Sequence, residues 1–124
     1  MQAERAAVES ILDLEIQIVS SDAVAYEVAQ DPDEERRDAK TMLDDDIRNE
    51  VINLTDSIKD RAKHLVSLGF GDLDALHIAC AESARCDWLL TTDDRMLKRA
   101  KRLSESINVA VENPAQWVLR FPPQ

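Results

Sequence analysis

Four short apolar runs, each set between helix-forming segments, limit what this chain can fold into. They are residues 16–19 (Ile-Gln-Ile-Val), 51–54 (Val-Ile-Asn-Leu), 88–91 (Trp-Leu-Leu-Thr) and 107–111 (Ile-Asn-Val-Ala-Val). Each is too short for a stable helix, and the β-branched and aromatic side chains suit a strand. The intervening segments open on residues that cap helices: Ser21, Asp31-Pro32, Thr55, Asp72 and Asn113-Pro114. Gly69 stands where the helix running to Leu68 should stop in a left-handed turn. Ahead of the first run, Ala3, Ala7, Ile11 and Leu14 recur at helical spacing. Strands interleaved with helices predict an α/β fold with a mostly parallel sheet. Right-handed crossovers then place the strand-to-helix turns along one rim, where such sheets bind ligands.

Composition narrows the class. The chain has 124 residues, the size of one domain spanning 1–124, of which 44% are hydrophobic and 32% charged. Two glycines are too few for a turn-rich β-sandwich. No apolar run approaches the roughly 20 residues that a bilayer span needs, and the first ten residues lack a signal-peptide pattern. A soluble, cytoplasmic protein with no membrane partner is expected. Its 25 acids against 15 bases leave a net charge of −10, which excludes a simple basic nucleic-acid-binding module. A metal-dependent nuclease remains open, because divalent cations screen carboxylates locally. Cys80 and Cys86 do not have zinc-site spacing and read as reduced thiols, and His64 and His77 are too few for a histidine-built zinc enzyme.

Three acids then stand out by position. Asp93 follows the third strand, Asp74 lies in the first turn of its helix, and Glu27 lies on the helix after the first strand. Each alone reads as a cap or a dipole partner. Together on one rim, they would form an oxygen-rich cluster suited to Mg²⁺ or Mn²⁺, ions that can activate water for phosphodiester hydrolysis. Arg95, Lys98, Arg99, Lys101 and Arg102 fall within eight residues, and Arg95, Lys98 and Arg102 share one helix face. That face is either a phosphate-binding patch or simply solvated. His77 sits one turn after Asp74, either leaning toward the acids or packing. Asp44-Asp45-Asp46 reads as a solvated helix end, and Trp88 and Trp117 as core or interface aromatics.

Two motifs, Leu73-Asp74-Ala75-Leu76-His77-Ile78-Ala79 and the run from Cys86 to Leu97 that contains Leu90-Thr91-Thr92-Asp93-Asp94, resemble the carboxyl half of a PIN domain. Residues 19–27 resemble the second strand and acidic helix of that family, and the likeness spans about residues 16–117. It implies a Rossmann-like three-layer α/β/α fold and a Mg²⁺- or Mn²⁺-dependent endoribonuclease, in many members the toxin held by a small antitoxin protein. On the matching positions, Glu27, Asp74 and Asp93 would be the catalytic metal ligands. Asp94 would be a further ligand or a helix cap, Thr92 a hydrogen-bonding support, and Arg95, Lys98 and Arg102 the RNA contacts. The family's first strand, which lies mid-sheet and ends in an Asp, has no counterpart before Ile16. A split sheet, a weakened metal site and a tendency to pair with another copy are therefore expected. The alternative is a catalytically impaired PIN remnant acting as a protein-binding or homo-oligomeric module.

Overall fold

The computed structural model describes residues 6, 19–48 and 50–120, and the expected first helix and the tail 121–124 lie outside them. In chain order the elements are β1 (Val19–Ser21), α1 (Asp22–Ala29), α2 (Glu34–Ile47), β2 (Glu50–Ile52), α3 (Asp56–Leu68), α4 (Asp72–Ser83), β3 (Trp88–Leu90), α5 (Asp94–Arg102), β4 (Ala110–Glu112) and α6 (Pro114–Arg120), with a short 3₁₀ turn at Ser104–Ser106. This is the expected α/β alternation with parallel pairing. The strands are displaced by up to three residues, and residues 16–18 of the expected first run lie outside the described segment.

Local chemistry explains most boundaries. The Ser21 hydroxyl accepts from Val24 N at 3.4 Å and the Thr55 hydroxyl from Ile58 N at 3.2 Å, each opening a helix as expected. Gly69 ends α3 at φ +123°, a conformation that costs a residue bearing a Cβ far more. Two expected caps are corrected. Asp33, not Asp31, caps α2 by accepting from Arg36 N at 3.1 Å. Asp31 instead accepts from Asp33 N, the Arg36 guanidinium and Lys40 Nζ, and these bonds hold its carboxyl well below the usual range. Helix α4 is opened by Gly71, with Asp72 already in its first turn.

The strands form two separate parallel pairs. Val19 registers with Glu50 in β1–β2, and Trp88 with Ala110 in β3–β4. Among the described residues no strand joins the pairs, which is the split expected of the sheet. Helix α4 packs on both β1 and β3, so the break falls between those two strands. On β1, Ser20 is buried and its Oγ has no hydrogen-bond partner among the described residues. The half-buried β3 is less covered than a strand sealed on both faces would be.

The core lies where α3 and α4 pack as a hairpin, through Ile58, Ala62 and Leu65 on one side and Ala75, Ile78 and Ala79 on the other. Burying the side chains of Ile58, Leu65 and Ile78 contributes about 1.5–3 kcal/mol each, and the alanine methyls less. Arg61 on α3 reaches Glu82 on α4 with two bonds of 2.7 and 3.0 Å, and donates to Ser106 O at 2.7 Å. The same carboxylate accepts from Asn108 N at 2.7 Å, which ties the hairpin to the chain entering β4. Cys80 is buried, Cys86 half-buried, and neither is in a disulfide. Trp117 is buried, whereas Trp88 carries the Arg120 guanidinium 5.7 Å from its ring centroid.

Candidate functional site

The three acids come from three different elements, and α4 is the centre to which the others are referred. Asp74 lies half-buried in the first turn of α4, the helix that contacts both β1 and β3. Burial pushes its carboxyl up, and the negative charge of Asp93 pushes it further, with a smaller contribution from Glu27. His77 and Arg99 oppose this rise but do not cancel it. A carboxylate held at a cost among like charges is a common mark of a functional site.

Glu27 arrives on α1 and is held by α4. His77 Nε2 lies 2.8 Å from Glu27 Oε2, and since a carboxylate can only accept, the imidazole N–H donates. The His77 side chain is 14% exposed and that of Glu27 58%, so the bond runs from the wall of the site to its open edge. Both earlier readings of His77 therefore hold in part: it is a packed histidine that also orients one of the acids.

Asp93 sits in the turn after β3, where Oδ1 accepts from Arg95 N at 2.9 Å and Met96 N at 3.3 Å. It is thus the N-cap of α5, a role expected of Asp94, which falls inside the helix. The turn is closed by Thr91, whose hydroxyl accepts from Asp93 N at 3.1 Å; Thr92 is exposed. Along α5, Met96 and Ala100 are buried, Arg95, Lys98 and Arg102 are exposed, and Arg99 is half-buried.

Arg99 is the residue that helical spacing did not single out. A Cβ built on Gly71 would lie 3.8 Å from Asp74 Oδ2 and 4.0 Å from Arg99 Nη1, so the two charged groups flank a position with no side chain. The signal was present only as a glycine two residues after Gly69, and nothing local links it to an arginine on a helix that begins at Asp94.

The match to known proteins decides the family. The PIN domain family model matches residues 2–103, most of the chain. The chain belongs to the PIN domain family. No curated protein and no solved structure matches it. The family match takes in α1, α4 and the β3–α5 turn, and so all three acids of this PIN domain. No helix among the described residues is long and apolar enough to cross a membrane.

The donor set suits a hard divalent cation: carboxylate oxygens only, with excess negative charge gathered around Asp74. Its geometry is less complete. Among the described residues no three His, Cys, Asp or Glu side chains close into a ready-made ligand cage. Glu27 is turned to His77, and one Asp93 oxygen is committed to helix amides. The residues present fit such an ion in the chemistry of their donors.

Proposed function

We propose that this PIN domain is a metal-dependent endoribonuclease acting in the cytoplasm, with Asp74, Asp93 and Glu27 as its metal ligands and Asp94 as a further one. The observation that carries the reading is the electrostatic gathering of Asp93 and Glu27 on the half-buried Asp74. Mg²⁺ or Mn²⁺ bound there would lower the pKa of a water and neutralise charge developing on the phosphate. The chain's own residues do the rest. His77 holds Glu27 at the edge of the site, the amides of α5 hold Asp93, and Thr91 fixes the turn. Thr92, exposed at the next position, would support a carboxylate by hydrogen bonding. Arg95, Lys98 and Arg102, all exposed on α5, take up RNA phosphates. A small antitoxin protein is a partner consistent with the family.

Cleavage of a labelled single-stranded RNA in Mn²⁺, Mg²⁺ or EDTA, beside Asp93→Asn, tests this. Asn caps a helix as well as Asp does, so the variant keeps α5 and loses a ligand charge. Metal-dependent cleavage that disappears in Asp93→Asn is the expected result. Cleavage that is indifferent to EDTA or to the substitution refutes the reading.

The split sheet supports a second reading, a PIN remnant that acts as a homo-oligomeric or protein-binding module. Among the described residues each strand pair leaves backbone edges unpaired, and edges of that kind pair with other chains. Absence of RNA cleavage together with a concentration-dependent dimer in light scattering favours this reading over the first.

A further inference from the structure

Any anionic substrate that approaches Asp74 meets three carboxylates on a chain of net charge −10. Without a compensating cation this is a repulsive place for a phosphodiester. Arg99 is positioned to be that cation. Its Nη1 and Asp74 Oδ2 lie at 4.0 and 3.8 Å from the point where a Gly71 Cβ would stand, and Gly71 leaves the space between them free. Among the described residues no carboxylate forms an ion pair with Arg99, whereas Arg36, Arg48, Arg61 and Arg120 all have one. One helical step on, Arg102 Nη2 lies 3.9 Å from the corresponding point on Gly69, so two guanidiniums of α5 overlie the glycine-bounded linker. The half-buried Arg99 keeps its donors, and the planar fork of a guanidinium matches two phosphate oxygens.

We propose that Arg99 holds a backbone phosphate of a single-stranded RNA beside Asp74, across the side-chain-free position of Gly71. The assignment rests on the ribonuclease reading above and makes Arg99 a substrate-holding residue within that site. Gly71 has an ordinary φ of −67°, so its value here is the room it leaves. A Cβ alone would meet both groups at ordinary contact distance, whereas the branches of a valine would fill the slot.

The experiment is fluorescence anisotropy of a labelled single-stranded RNA with the whole chain in EDTA, over a range of salt. Wild type, Arg99→Gln, Arg99→Lys, Arg95→Gln and Gly71→Val are compared, with thermal melts of each. Arg99→Gln should bind about tenfold more weakly and lose about 0.7 from the slope of log K against log salt, the share of one single-strand phosphate contact. Arg99→Lys should recover the slope but only part of the affinity, since an ammonium lacks the fork. Gly71→Val should weaken RNA binding while lowering the melting temperature by only a few degrees, the cost of a poorer N-cap for α4. Arg99→Gln that binds like wild type, while Arg95→Gln does not, overturns the assignment and leaves the ribonuclease reading standing. A wild-type chain that binds no RNA in EDTA overturns the assignment of Arg99, and the metal-dependent cleavage experiment above then decides the ribonuclease reading on its own.

Discussion

His77 and Glu27 are 50 residues apart in sequence and 2.8 Å apart in space, and their bond fastens α1 to α4 at the acidic site. The bond is open to water on the Glu27 side, so its net worth is that of a partly exposed hydrogen bond rather than a buried one. His77→Ala should cost about 1 kcal/mol in urea unfolding and free Glu27 to rotate. A loss well above 2 kcal/mol would show that His77 acts mainly as a packing residue.

Asp74 carries its charge at a cost to the fold. Burial, then Asp93, raise its pKa, so the folded state binds its proton more tightly than the unfolded state does. Stability is then greatest while the carboxyl is protonated, and falls as pH rises from the unfolded value of 3.8 through the folded one. Asp74→Asn removes that cost at pH 7. Its melting temperature should rise by about 2–4 °C, while Mn²⁺-dependent RNA cleavage disappears. A lower melting temperature would mean that Asp74 is a structural carboxylate.

Glu82 behaves in the opposite sense. Burial alone would raise its pKa, but the Arg61 guanidinium and the Asn108 amide outweigh this and hold it below the usual 4.5. Its contribution is present above that value and is lost as pH falls through the lowered folded value. Glu82→Gln should cost about 2 kcal/mol at pH 7, in the range for bonds to a charged group. The difference from wild type should shrink in acid. Urea titrations at pH 7 and pH 3 check both the size and the sign.

Arg85 ends α4 at φ +57°, the left-handed region, with Cys86 N bonded back to Ala81 O at 3.0 Å. A helix stop of this kind suits glycine. Arg85→Gly should therefore raise stability by about 0.5–1 kcal/mol in thermal melts, with RNA binding unchanged. A loss of stability would show that the arginine stem packs on the surface.

What the sequence made visible was mostly local. Ser21, Thr55 and Gly69 each leave the chain one economical backbone solution, and their roles were legible from the residue type alone. The aspartates were harder, because Asp31 and Asp33, or Asp93 and Asp94, stand close enough to compete for the same orphan amides. The winner is set by backbone direction, which composition does not encode. Glu27, Asp74 and Asp93 stood out by their positions in the chain, and the family resemblance only grouped them. The His77–Glu27 bond and the placing of Arg99 over Gly71 were not legible, since both depend on how α1 and α5 dock against the α3–α4 hairpin. The split between β1 and β3 was legible only by comparison with the family pattern, since each strand alone looks complete.

The divided sheet has a mechanical consequence. A continuous sheet transmits displacement along its ladder of hydrogen bonds, but among the described residues that ladder is interrupted and α4 is the shared axle that contacts both strand pairs, two small plates. Glu27 travels with the plate that holds β1, Asp93 follows directly from β3 on the other, and Asp74 and His77 ride on the axle itself. A rotation of one plate against the other would therefore change the spacing of the acids directly.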